Sequence, residues 1–215
     1  MKKTYTTLLA FICFYSATFA QTKGDIELGG DVGLNISTIS NGQDNNYNNN
    51  TAAHNVGINL GVSADYYFSA KWSIKAKIIY DQKGDDNDYY VDPTNGQTYP
   101  TNYRLDYITI PVMANWHFGR TRNWYLNFGP YIGFLTSATA TATGSDVKSM
   151  LNSTDAGLAF GIGVKIPISD NTKFFAEYQG QAGIANLVTN DQGSSIENEN
   201  YAINVGIAFN LDRSR

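Results

Sequence analysis

The sequence predicts an all-β chain, an eight-stranded antiparallel up-and-down transmembrane β-barrel. Three observations predict it. Eight segments alternate apolar residues with polar or small ones at a strict period of two, the pattern of strands with two unlike faces. The connectors alternate as well, short near residues 70, 121 and 170 and long and polar near 46, 93, 145 and 194, so short turns gather on one rim and long loops on the other. Aromatic residues border the short turns, at the level where a membrane meets water.

A chain of 215 residues with 15 Tyr, 20 Gly and only 5 Pro suits one domain of strands and turns. Its mean hydropathy is −0.30, and no run of about 18 apolar residues offers a transmembrane helix. Strands escape that test, because lipid-facing and lumen residues alternate along them. Residues 1–20 are expected to be an export signal, with Lys2 and Lys3 as its charged start, Leu8–Tyr15 as its apolar stretch and Thr18-Phe19-Ala20 before the cut at Gln21. Residues 21–215 then form the barrel domain, destined for the outer membrane. Cys13 leaves with the signal, which excludes disulfides, iron–sulfur clusters and cysteine nucleophiles in the mature chain. Ile12 ahead of it is not small, which argues against a lipoprotein anchor. Loss of Lys2 and Lys3 takes the formal charge from −4 to about −6, and an acidic chain argues against nucleic acid as partner.

Taken in order, the first strand spans Asp25–Ile39, with Ile26, Leu28, Val32, Leu34 and Ile36 on the apolar face, and the Asn-rich stretch to Asn50 reads as a loop. His54–Phe68 repeats the pattern, Ser69-Ala70-Lys71 turns, and Trp72–Lys83 returns. Gly84–Asn102 reads as a long polar loop. The most regular alternation lies in Arg104–Thr136, two strands joined by Gly119–Asn123 with Phe118 opposite Trp124. Ser137–Ser153 reads as another loop. Three more strands follow, through Leu158–Ile168, Phe174–Ile184 and Tyr201–Leu211, the last after a polar loop at Val188–Asn200.

What the apolar face touches decides the class. The opposite face carries Glu27, Asp31, Asp65, Lys75, Lys77, Asp81 and Glu177 at mid-strand, a set expected to form an internal ion-pair network that plugs the lumen. The same set lining a narrow wet channel is the alternative. Gly29, Gly33, Gly57, Gly61, Gly129, Gly133, Gly161 and Gly163 share that face, where small residues let a narrow barrel close around charged side chains. Tyr66, Phe68, Trp72, Trp116, Phe118, Trp124 and Phe174 border the short turns as an interfacial aromatic girdle. Pro111 and Pro130 fall inside central strands at nearly one height, which predicts a shared bulge or kink.

Several segments resemble one family. Tyr107-Ile108-Thr109-Ile110-Pro111-Val112 is similar to the Y-x-x-I-P strand of the PorT-like outer-membrane β-barrel proteins of Bacteroidota. Phe128-Gly129-Pro130-Tyr131-Ile132-Gly133 resembles its G-P-Y-x-G strand, and Asp155–Val164 its D-x-G-x-x-x-G-x-G strand. Glu177-Tyr178 with Gly183-Ile184-Ala185-Asn186 resembles its E-Y…G-L-x-N strand. The resemblance spans most of the chain, turns the two prolines into family features, and implies a link to type IX secretion through the member that names the family.

Catalytic chemistry finds little support. His117 borders a short turn, where a polar rim residue is the ordinary reading. His54 enters its strand from the long-loop side, within conceivable reach of Asp85, Asp86, Asp88, Ser194 and Ser195. The run Asp85-Asp86-Asn87-Asp88 with Asp92 lacks the Gly and distal Glu of a calcium loop and reads as a solvated acidic loop. No phosphate loop or zinc spacing is present. The expectation is a monomeric, non-enzymatic structural or interaction barrel without cofactor or metal, in contact with outer-membrane lipid and other cell-envelope proteins. A transport or secretion-accessory role ranks second and a lipid-active enzyme third.

Overall fold

The computed structural model describes residues 23–41, 54–92, 96–187 and 196–211. The expected export signal, the Asn-rich segment, most of the loop before the last strand and the tail after Leu211 lie outside the described residues. The strands are β1 (Ile26–Asn41), β2 (Asn55–Tyr67), β3 (Trp72–Val91), β4 (Thr98–Phe118), β5 (Trp124–Ala140), the two-residue β6 (Ser145–Asp146), β7 (Thr154–Pro167), β8 (Thr172–Gly183) and β9 (Ile196–Asn210). Every pairing is antiparallel. Apart from β6, which only flanks β5, each strand pairs with its chain neighbours, and β1 pairs with β9 to close an eight-stranded barrel.

The pairings fix the stagger of that closure. From Ile26 the ladder leads through Tyr66, Ile74, Ala114, Phe128, Phe160, Gly180 and Tyr201, and returns to β1 at Ile36, ten residues along. With the usual strand spacing and rise, eight strands with that stagger tilt by about 40° and leave a backbone radius of about 8 Å, room for side chains and little else. The even-numbered apolar residues of β1, β2, β4 and β7, and those of β3 up to Tyr80 and of β5 up to Phe134, face outward, as do the odd-numbered ones of β9; Leu34 is 64% exposed and Ile203 67%. An apolar surface running around the whole wall is far larger than soluble proteins leave in water, and acyl chains are its natural solvent. Among the described residues no helix is long and apolar enough to cross a membrane, which does not bear on crossing by strands.

One expected loop is largely strand and another partly so. A membrane crossing needs about 9–11 residues, whereas β3 and β4 run to 20 and 21. Gly84–Asn102 is therefore a hairpin paired out to Val91 and Thr98, closed by Asp92, whose N–H donates to the Gln97 carbonyl at 2.9 Å. The register shifts between Asp85 and Asp88, and this irregularity throws the alternation out of phase, so the segment loses its strand signature while keeping β-forming Tyr, Val and Thr residues. Likewise β5 continues to Ala140, and the segment after it holds β6 and a 3₁₀ turn at Lys148–Met150.

The prolines correct another expectation. Pro111 pairs with Tyr131 and Ala114 with Phe128 in one unbroken register; the only shift between β4 and β5 lies at Asp106/Tyr107. The prolines interrupt the ladder without displacing it, and there is no bulge at either.

At the long-loop end β3 leaves β2. Their pairing stops at Asn59 and Asp81. Beyond it the Gln82 carbonyl accepts from Asn35 Nδ2 (2.9 Å) and the Gly84 N–H donates to Ser37 Oγ (2.9 Å), so β3 reaches past β2 to β1. Gly57 permits the crossing, since a Cβ there would stand 2.1 Å from the Gln82 carbonyl oxygen. Above the crossing, Leu105, Tyr107, Leu135, Ala138, Ala140, Val147 and Leu187 pack as an apolar cap, with Tyr99, Tyr103 and Leu151 against it.

Candidate functional site in the barrel lumen

Alternation sends the odd-numbered residues of β1–β8 inward, so lysines and carboxylates from strands distant in sequence meet across the lumen. Nearest the short turns, Lys165 donates to Glu27, to Asp65 (3.0 Å) and to the Tyr67 hydroxyl (3.0 Å), while Lys173 donates to the other oxygen of Glu27. Asp65 also accepts from Ser73 Oγ (3.0 Å) and Asn115 Nδ2 (3.1 Å). In the middle, Glu177 accepts from Lys75 (2.9 Å), Lys77 (3.2 Å) and Asn127 (2.9 Å), and Lys77 bridges on to Asp31 (3.3 Å) and Gln179 (3.0 Å). Towards the long loops, Asp155 accepts from Lys83 (3.3 Å), the Tyr131 hydroxyl (3.2 Å) and Asn198 (3.3 Å). Asp81 accepts from Asn59 (2.6 Å), Gln181 (2.9 Å) and Asn200 (3.5 Å).

Aromatic rings fill the space between these pairs. Lys75 lies 4.7 Å from the ring centre of Tyr125, and Lys83 sits between Tyr107 (5.0 Å) and Tyr131 (5.3 Å). Cation–ring attraction adds to the ion pairs where water is excluded. Charged groups this deep are tolerable only when paired or fully hydrogen-bonded; the lumen lysines and most of the carboxylates have both, and Asp81 has hydrogen bonds from three amides.

Glu27, Asp31, Asp65, Lys75, Lys77, Asp81 and Glu177 all lie buried in the lumen, and all but Asp81 join ion pairs. Sequence reasoning missed Lys83, Asp155, Lys165 and Lys173 as members, and Tyr67, Tyr107, Tyr125, Tyr131 and Phe175 as lumen filling. Their signal was present: each shares the odd parity of its strand's inward face. On the outer wall beside the short turns, Tyr66, Phe68, Trp116 and Trp124 are exposed and Trp72, Phe118 and Phe174 half-buried. Trp72 stacks on Trp116 (6.3 Å between centres) and Trp116 on Phe118 (5.1 Å).

His117 is not a rim residue. It is wholly buried, 4.9 Å from the Tyr67 ring centre, with Nε2 3.1 Å from Ser73 Oγ. The Ser73 proton is committed to Asp65, so the imidazole donates to the hydroxyl rather than drawing its proton, the reverse of nucleophile activation. His54 is exposed at the start of β2. Asp86 accepts from Asn55 (3.0 Å) within strand structure; the Asp88 side chain, Ser194 and Ser195 lie outside the described residues. Among the described residues no group of His, Cys, Asp or Glu side chains converges as a metal site.

Four of the motif segments meet in one place. Tyr107, Tyr131 and Asp155 join around Lys83 and Asn198, with the Tyr107 hydroxyl 3.5 Å from Asn198 Nδ2, and a Cβ at Gly183 would stand 2.8 Å from the Asn198 carbonyl oxygen and 3.4 Å from Asp155 Oδ1. Gly129 serves closeness of another kind: a Cβ there would stand 2.1 Å from the Val112 carbonyl oxygen, beside the two prolines.

A closed eight-stranded wall, apolar outside and charged within, defines an outer-membrane β-barrel protein. The chain belongs to the outer membrane protein beta-barrel domain family, which matches residues 19–189. No curated protein matches it. Among solved structures it is similar to Neisserial surface protein A (NspA), at 16% identity and a TM-score of 0.52 over 86% of this chain and 97% of that one. It is also similar to the outer membrane protein OprG from Pseudomonas aeruginosa, at 11% identity and a TM-score of 0.51 over 89% and 98%. These likenesses are of fold. The outer membrane is the location the family and fold give the chain.

Proposed function

We propose that this protein is a monomeric, non-enzymatic structural or interaction module whose lumen is plugged and whose contact surface for other cell-envelope proteins lies on the long-loop side. The observation that carries the reading is the continuity of the filling. Ion pairs centred on Glu27, Glu177 and Asp155 follow one another along the lumen, with aromatic rings between them and the cap of Leu105, Leu135, Val147 and Leu187 above. A plug of mutually paired charges leaves no row of free groups for a permeating solute. The β3–β4 hairpin, with exposed Tyr89 and Val91, extends beyond the membrane-crossing length and offers a rigid platform for contact. Planar-bilayer recording tests the reading: purified protein inserted in lipid gives no steady single-channel current, and steady openings would overturn it.

A second reading is a secretion-accessory role within a PorT-like group. The convergence of Tyr107, Tyr131, Asp155 and Gly183 from separate motif segments favours it, because the ordered motif set then marks one packed knot rather than scattered matches. Co-purification of secretion-system components from native membranes supports that role, and their absence from a barrel recovered intact counts against it.

A further inference from the structure

Charge on the short-turn rim is one-sided. In a chain that is acidic overall, the turns at 69–71 and 119–123 carry Lys71, Arg120 and Arg122 and no carboxylate, whereas the turn at 168–171 carries Asp170 and no cation. The two basic turns are neighbours, since the His117 N–H donates to the Lys71 carbonyl at 2.7 Å. Lys71 and Arg120 are exposed and Arg122 half-buried, and among the described residues none of the three joins an ion pair. The aromatic girdle leans the same way. Tyr66, Phe68, Trp72, Trp116, Phe118 and Trp124 flank these two turns, and Phe174 alone of that set lies on β8. Such rings settle at headgroup level, which places the three cations among lipid phosphates.

The outer wall on the same side is indented. Ala64 of β2 and Ala76 of β3 stand opposite each other, and Leu28, Val62, Ile78 and Ile110 border them to leave an apolar groove of about 560 Å³. Ala76 follows Trp72 by four residues along β3. That is about 13 Å at the usual rise per residue, and the hydrocarbon of one leaflet is about 15 Å deep. The groove therefore opens in the leaflet whose headgroups meet the basic turns. A zwitterionic headgroup brings an amine that the cations repel, and a second copy in a two-fold contact sets the same cations against each other. A negative headgroup suits them. We propose that this face holds an anionic phospholipid of that leaflet, its phosphate on Lys71, Arg120 and Arg122 and an acyl chain over Ala64 and Ala76. The site is on the outer wall and does not depend on whether the lumen is plugged.

The test refolds the full chain into vesicles of equal parts phosphatidylglycerol and phosphatidylethanolamine with matched acyl chains, extracts it in mild detergent, and weighs the retained lipid by native mass spectrometry. Phosphatidylglycerol is retained over phosphatidylethanolamine. A cation beside an anionic headgroup contributes about a factor of five, so Lys71→Gln and Arg120→Gln each lower the preference about fivefold. Both changes combined with Arg122→Gln abolish it. Ala76→Leu fills the groove, lowering retention of both lipids while keeping the preference, and Lys148→Gln, on the long-loop side, changes neither. Should the triple variant not insert, the single variants carry the test. Equal retention of the two lipids by the wild type means an ordinary lipid annulus and overturns the proposal. So does a preference unchanged by removal of the cations, a retention unchanged in Ala76→Leu, or a dimer that carries no lipid.

Discussion

Glu177 draws three donors together across the lumen: Lys75 and Lys77 from β3 and Asn127 from β5. Replacing it by Leu strands Lys75, whose ion pairing rests on Glu177 alone, whereas Lys77 keeps Asp31 at 3.3 Å and Gln179 at 3.0 Å. Breaking a buried pair by removing one partner costs about 3–5 kcal/mol, and removing both restores much of it. Glu177→Leu is therefore expected to lower folding stability by that amount in urea titrations with vesicles, and Lys75→Met on top of it to recover a large part. A double variant no more stable than the single one would show that the pair is not the unit of stability. The parity that sends Glu177 inward was legible in the sequence; its partners were not. Lys165 and Glu27 are 138 residues apart, on β7 and β1 with two strands between them, so their meeting belongs to the closed ring and to no local pattern.

Among the elements, β3 depends most on a single small residue of its neighbour. The strand can lean past β2 to Asn35 and Ser37 only because Gly57 presents no Cβ to the Gln82 carbonyl. Gly57→Val forces the strands apart at a tightly packed crossing, a change that costs about 1–3 kcal/mol. The same variant in vesicles is expected to be cut by external protease within residues 82–103 at least tenfold faster than wild type, while the membrane-embedded strands stay protected. Unchanged cleavage would mean that the crossing does not hold the hairpin. The strands themselves were legible wherever the alternation stayed in phase, as in β4 and β5 with Phe118 opposite Trp124. They were lost at Asp85–Asp88 in β3 and past Leu135 in β5, where a register shift breaks the period of two although the backbone goes on pairing. The prolines misled in the opposite sense. A missing N–H interrupts the ladder locally, but the packing of neighbouring strands holds the register.

For the whole molecule, the count of strands, the rim of short turns and the outward apolar face follow from residue types and spacing, because each is a property of one strand or one turn. The ten-residue stagger does not, since it sums small offsets over eight interfaces and appears only when β9 meets β1. That stagger makes the lumen narrow enough for lysine–carboxylate pairs to span it, so the division of the wall into a greasy outside and a charged inside is the property on which the proposed plugging rests. Single spin-labelled cysteines along β7 from Ala156 to Ile166, in a Cys13→Ser background reconstituted in lipid, probe that division position by position. Even-numbered sites from Leu158 to Ile166 are predicted to show high collision rates with lipid-dissolved oxygen, and the odd-numbered sites between them low rates with both oxygen and a water-soluble relaxation agent. Uniform rates along the strand, or free access of the water-soluble agent to the odd sites, would contradict a lipid-facing wall around a plugged interior.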